Sequence, residues 1–423
     1  MSMGKQGVKT AVPKLRFPEF RHSEAWELKK LSCLLVEQKK RNKNLSFGPQ
    51  DVLSVSGEHG CVNQIELLGR SYAGVSLANY HVVETGDIVY TKSPLKRNPF
   101  GIIKGNKGKV GVVSTLYAVY RATGSGHSAF LDHYFSVDYN INSYLQPIVR
   151  KGAKNDMKVN NAAVLAGDLF TPGVDEQKKV ADFLTSLDEV IFVQGRKVEA
   201  LKAHKRGLMQ HLFPREGETR PHLRFPEFRD AQEWTERPLG QVTQVASGQV
   251  DPKVAPYCDF PHVGGDNIES ETGSLVGLKT SREDGVTSGK YIFDESDVLY
   301  SKIRPILNKV AAPGFIGVCS ADIYPIRPSN SDITRQFLVY LLRSAPFVEY
   351  AAKHSERGKI PKINREALAA YAARLPQPVE QQRIADCLFS LDTSIAAESA
   401  QLTALKAHKQ GLMQQLFPVR GVG

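Results

Sequence analysis

The sequence lacks almost every pattern by which an enzyme announces its chemistry. No G-x-x-x-x-G-K-[ST] loop is present to cradle a nucleotide, and no H-E-x-x-H is present to hold zinc. The dipeptide Pro-Asp, which opens the commonest nuclease pattern, never occurs. The Asn-Pro-Phe at 98–100 lacks the second proline and the glycine-rich cofactor loop of an adenine methyltransferase, and is expected to be a turn. Cysteine is scarce: Cys33, Cys61, Cys258, Cys319 and Cys387 are scattered, odd in number and never spaced C-x-x-C. That argues against disulfides and structural zinc and for a reducing cytoplasm. The eleven histidines form no close pair at metal-ligand spacing; His204 and His408, flanked by lysines, are expected to be solvated. No run of eighteen apolar residues could span a membrane, and "MSMGKQGVKTAVPKL" has no apolar core for a secretory signal. Acidic charge is also short. Lys and Arg number 55 against 44 Asp and Glu, a net +11 that suits a polyanionic partner.

What the sequence has is repetition. "LKAHKRGLMQHLFP" at 201–214 returns as "LKAHKQGLMQQLFP" at 405–418, with twelve of fourteen positions identical. "PKLRFPEF" at 13–20 returns as "PHLRFPEF" at 221–228, and the only two tryptophans, Trp26 and Trp234, stand 208 residues apart. "EQKKVADFLTSLDEVI" at 176–191 returns as "EQQRIADCLFSLDTSI" at 380–395. "GDIVYTK" at 86–92 matches "SDVLYSK" at 296–302, and Lys158 and Asn160 match Lys362 and Asn364. The offset drifts between 204 and 210, so one scaffold is used twice with two different interiors.

The interiors read as β-rich. "GDIVYTK", "KVGVVST", "HYFSVDY", "SDVLYSK" and "PGFIGVCS" concentrate β-branched and aromatic residues between Gly, Pro, Asn and Asp. A helix over 332–353, with Asp332 as its N-cap, is expected to close the second interior.

Each unit ends in a long helix, about 176–212 and 380–416, with Pro172, Pro376 and Pro378 upstream and Pro214 and Pro418 downstream as stops. Val180, Leu184, Leu187, Ile191, Gln194, Val198, Leu201, Lys205, Leu208 and Leu212 recur at steps of mostly three and four, as do Ile384, Leu388, Leu391, Ile395, Glu398, Leu402, Leu405, Lys409, Leu412 and Leu416. Both are coiled-coil seams with polar residues at the same two places. A helix of that length spans ~55 Å. An isolated helix would expose its seam, so the expected partner is the other copy in the same chain. A pseudo-two-fold relation between like units makes the pair antiparallel. Heads at opposite ends would then read a split DNA site, given ~34 Å per turn of B-DNA.

Basic residues recur at matching places. The first interior carries Lys92, Lys96, Arg97, Lys104, Lys107 and Lys109 in one stretch without an acidic residue, and Arg150, Lys151, Lys154 and Lys158 in another. The second carries Lys302, Arg304 and Lys309, then Lys353, Arg357, Lys359 and Lys362. All but Lys353 are candidate DNA contacts, to phosphates chiefly and to base edges through a few side chains.

The order of "LRFPEF…W", a variable interior, "K-x-N", "EQ-x-x-(V/I)-AD-x-L-x-x-LD" and "LK-x-x-K-x-GLMQ-x-LFP" resembles the specificity subunit of type I restriction–modification systems, from Pro13 to Pro418. The resemblance implies an α+β fold: two tandem target recognition domains joined by two long helices in an antiparallel intramolecular coiled coil. It divides the chain into a tail (1–12), a first recognition domain (13–172), a first spacer helix (173–214), a second recognition domain (215–376), a second spacer helix (377–418) and a tail (419–423). It implies a non-catalytic, cytoplasmic chain that reads double-stranded DNA, docks two methyltransferase subunits and is joined by motor/nuclease subunits. No cofactor is expected on this chain; S-adenosylmethionine, ATP and Mg²⁺ are expected on the partners. Lys92 and Lys302, at the ends of the strands that begin at Asp87 and Asp297, become DNA contacts in this scheme. The competing expectation is a tandem coiled-coil scaffold that organises proteins and touches no nucleic acid.

Overall fold

In the computed structural model the described residues are 10–418, apart from 58, 94, 152–156 and 356–359. The architecture is α+β, and the chain divides into two compact units: residues 1–194 with 401–423, and residues 195–400. The linear division of the sequence into heads and spacers is therefore not the division of the packing. Each long helix gives its first half to one unit and its second half to the other.

The first unit is built on an antiparallel four-stranded sheet in the order Leu35–Glu37, Tyr117–Ala122, Ile88–Thr91, Ile102–Gly105. The second repeats it with Thr243–Val245, Ile323–Pro328, Val298–Ser301 and Val310–Ala311. The central strand of each is an unbroken apolar run because both faces are covered. Side chains alternate across a strand. Ile88 and Tyr90 therefore enter the main core with Trp26, while Val89 packs with Leu53, Val83 and Val113. In the second unit Val298 and Tyr300 face the Trp234 core, and Leu299 faces Val263, Phe293 and Cys319. A strand pair closes each unit: Trp26–Lys30 with Asp168–Thr171, and Thr235–Pro238 with Ala372–Leu375.

Two local expectations are corrected. "HYFSVDY" is helical, forming the end of Ser128–Phe135 and the start of Asp138–Leu145. Its aromatic content suggested a strand, but Phe130, Leu131, Tyr134 and Phe135 are spaced to bury one helical face. The helix expected over 332–353 is two helices, Arg335–Arg343 and Ala345–Lys353. Its N-cap is Thr334, not Asp332: the Thr334 hydroxyl accepts the Phe337 N–H at 3.2 Å. Ser344 is extended, and Pro346 takes the first turn of the next helix, where a missing N–H is harmless.

The long helices run Val174–Leu212 and Pro378–Leu416. Pro378 is the first helical residue, not a stop before it. Within the second unit Lys197 pairs with Glu398 at 2.5 Å and Lys205 with Asp392 at 2.5 Å. Partners descend on one helix as they ascend on the other, so the pair is antiparallel. Within the first unit Lys409 pairs with Asp188. Among the predicted seam residues Leu184, Val198, Leu388 and Ile395 are buried; Leu187, Ile191, Leu201, Leu208, Leu391, Leu402, Leu405 and Leu412 are half-buried. The repeated Leu-Phe-Pro endings are core plugs. Phe213 packs on Trp234 and Phe337 in the second unit, and Phe417 on Trp26, Phe130 and Tyr134 in the first.

Candidate nucleic-acid interface

The repeated motifs turn out to be one joint built twice. Glu176 takes Arg16 in a bidentate grip, Nε to Oε1 at 2.8 Å and Nη2 to Oε2 at 2.7 Å, and accepts the Trp26 Nε1–H at 3.1 Å. Glu380 does the same with Arg224, at 2.7 and 2.6 Å, and with Trp234, at 3.3 Å. Both pairs are buried, and the carboxylates raise the pKa of both guanidiniums through these hydrogen bonds. The glutamine that follows each glutamate ties the helix start to its head. Gln177 donates to the carbonyls of Pro172 and Ser125, and Gln381 to those of Pro376 and Asp332. Asn160 and Asn364, from the repeated "K-x-N", cap the short helices Asn161–Leu165 and Arg365–Ala369.

The matched aspartates are also structural. Asp87 accepts Nε and Nη2 of Arg121 at 2.8 and 3.0 Å, and Asp297 accepts those of Arg327 at 3.0 and 2.9 Å. Each also accepts a backbone N–H, from Glu84 or Asp294, at 2.8 Å. Each pins the entry to the central strand, whose exit carries the matched lysine. From there a hairpin loop crosses to the edge strand, over 92–101 in the first unit and 302–309 in the second.

The basic residues fall into distinct groups. Lys96, Arg97 and Lys109 are exposed; Lys92 is half-buried, which lowers its pKa, although nearby Glu37 favours its charge. Lys104 turns inward, while Lys107 is exposed but paired. The Lys104 ammonium donates to Ser136 Oγ at 2.8 Å, and burial lowers its pKa. Lys107 pairs with Asp132 at 2.8 Å and lies 4.0 Å from Asp188 on the long helix. Burial alone would raise the Asp132 carboxyl, but Lys107, Lys104 and the Gly105 N–H together hold it below the usual range. Arg150 is exposed on strand Arg150–Lys151, which pairs with Met157–Lys158. Lys154, Arg357 and Lys359, and the side chains of Lys151 and Lys158, lie outside the described residues. In the second unit Arg304 and Lys362 are exposed, and the bridge between Ile303 and Lys362 brings their segments together. Lys309 donates to the Gly265 carbonyl at 2.6 Å, and Lys302 lies over the Tyr324 ring, 3.7 Å from Asp322. His204 and His408 are exposed.

Residues 231–407 match the sequence model of the type I restriction modification DNA specificity domain. The chain is 38% identical over 154 residues to the type I restriction enzyme EcoDI specificity subunit of Escherichia coli, a match spanning 36% of this chain and 33% of that protein. It is 24% identical over 261 residues to the MjaVIII specificity subunit of Methanocaldococcus jannaschii, spanning 58% and 60%. The chain thus spans between a third and three-fifths of these relatives' lengths. Its fold is like that of the type I S subunit from M. genitalium, with a TM-score of 0.61 at 13% identity over 96% of this chain and 99% of that one. A chain from a study of assembly and conformational transition of the type I R-M system gives 0.52 at 17%, over 93% and 97%. The sequence match over residues 231–407 and the likeness of fold both point to type I specificity subunits.

Further exposed basic residues lie outside the repeated stretches. Lys39 and Lys43, in the run "KKRNKN" that follows the sheet strand Leu35–Glu37, are exposed. Arg70 lies over the exposed Tyr72 ring at 4.6 Å. The charge run was visible in the sequence; the Arg–Tyr stack was not marked by any repeat.

Proposed function

We propose that this chain reads a bipartite double-stranded DNA site, one half-site per unit, and carries methyltransferase and motor/nuclease subunits to it. The observation that supports this most directly is the repeated hairpin loop. Both units place it after a strand pinned by an Asp–Arg pair, and both decorate it with exposed basic groups: Lys96 and Arg97 in the first, Arg304 in the second, with Lys362 across the bridge. Lysine and arginine contacts to phosphate supply affinity and register, and a few side chains reaching base edges supply sequence choice. Lys107, Lys109 and Arg150, all exposed, join these contacts with Lys302 and Lys309, whereas the Lys104 ammonium is taken up by Ser136. The helices set the gap between the half-sites. The chain itself is a reader; S-adenosylmethionine, ATP and Mg²⁺ belong to its partners.

A salt-titrated binding measurement on random duplex tests the reading. Affinity is expected to fall steeply and linearly in log–log form with salt. Replacing Lys96 and Arg97 by alanine should weaken binding to every duplex and reduce the slope by about 2. Binding that is absent or indifferent to salt would favour a scaffold that touches no nucleic acid.

A further inference from the structure

Lys92 and Lys302 at the starts of the two hairpin loops, and Asn98 and Asn308 further along, keep an offset of 210, after which the first loop runs two residues longer. Both asparagines are buried anchors. Asn98 donates to Asp138 Oδ1 at 2.9 Å, and Asn308 donates to Glu271 Oε2 at 3.1 Å and to the Arg343 carbonyl at 3.2 Å. Between the matched lysine and asparagine of each loop, the tips differ in chemistry. The first unit carries Lys96 and Arg97 where the second carries Ile306 and Leu307. Ile306 is 73% exposed and Leu307 37%.

The second loop is held in one shape. Arg304 and Asn308 both sit in the left-handed region, at φ 48° and 50°. Arginine has no short side chain to favour that conformation, so neighbouring contacts must hold it. The Arg304 N–H donates to the Pro361 carbonyl at 2.7 Å, the Ile363 N–H to Lys302 at 3.0 Å, and the Ser301 N–H to Lys309 at 3.1 Å. The result is an exposed aliphatic side chain on a held loop that also carries Arg304 and Lys309, with Lys362 bridged to Ile303 at its base. A partner for such a tip must be polyanionic around an apolar spot. The major groove of DNA admits a two-stranded ribbon and offers one apolar group on its base edges, the thymine 5-methyl.

We infer that Ile306, backed by Leu307, is a specificity-determining residue that packs on a thymine methyl in the half-site read by the second unit. This rests on the DNA-reading function proposed above. The Lys96–Arg97 tip of the first unit cannot make that contact and offers donors instead.

The test uses the full-length chain. A preferred duplex is selected from a randomised pool. Each thymine is then replaced by deoxyuridine, which removes only the methyl group. One replacement is expected to weaken the wild-type chain roughly fourfold, the worth of one buried methyl-sized group. The same replacement should leave the affinity of Ile306→Ala unchanged, and Ile306→Val should keep part of the sensitivity. A thermal melt of Ile306→Ala at the wild-type Tm shows that the fold is intact, as such an exposed side chain requires. A selected site with no sensitive thymine, or an Ile306→Ala chain with the wild-type pattern of sensitivity, overturns the inference while leaving DNA reading in place. Failure to select any duplex overturns both.

Discussion

Glu380 serves two buried partners at once, and its charge decides how much it matters. Its side chain is 1% exposed and that of Arg224 is 8% exposed. Removing one partner of such a pair leaves an uncompensated charge out of water, so Glu380→Ala should lower unfolding stability by roughly 3 kcal/mol in a denaturant titration. Glu84→Ala, at exposed pairs with Lys40 and Arg121, should move the same titration far less. His133 offers a pH test. Burial first, then Lys409 and Lys107, depress its pKa to about 4. The folded chain therefore keeps His133 neutral while the unfolded chain protonates it below about 6.5. Its contribution to stability is present above that pH and is lost as pH falls toward 4. Melts between pH 7 and 4 should show this loss, and His133→Asn should flatten it. At this scale the sequence marked which residues recur but not whom they touch. Arg16 and Glu176 lie 160 positions apart, and nothing local joins them. Lys104 and Lys107 looked like their basic neighbours because their partners, Ser136 and Asp132, come from a later helical segment.

At the scale of elements, one of the seam's two polar places acquires a reason. Lys205 meets Asp392 and Lys409 meets Asp188, so the breaks in apolar periodicity are complementary and favour one antiparallel register. Asp392 also accepts the Tyr340 hydroxyl at 2.9 Å and lies 3.5 Å from the buried Arg343 guanidinium. Asp392→Asn should therefore cost about 3–5 kcal/mol by stranding Arg343, whereas Lys205→Met, which removes a cation from a site that keeps another, should cost far less. Chemical denaturation of the two variants checks the order. The helices were legible because 39-residue elements declare their period strongly. The helix pair Arg335–Arg343 and Ala345–Lys353 was not resolved in sequence because its apolar content reads through the break at Ser344. "HYFSVDY" misled because a short aromatic run has no period of its own.

For the whole molecule, tandem organisation was plain from the repeats, while the sharing of each helix between units was not. A repeat shows which segments are alike, not which copy each one packs against. The proposed spacer role gives a direct prediction. Inserting seven residues into both helices, near Gln194 and near Gln401, keeps the pair in step and adds ~10 Å of rise. The half-sites should be unchanged and the unread gap should grow by roughly three base pairs at ~3.4 Å each. Mapping methylated adenines in cells carrying the variant reads this out, and an unaltered gap would sink the ruler idea.

Phe417 fills the core around Trp26, and residues 401–423 belong to the first unit, while the second unit is the unbroken stretch 195–400. Vectorial synthesis on the ribosome therefore reverses the written order. The later half can complete its interior as soon as it emerges, and the earlier half must wait for Phe417 before its own interior closes.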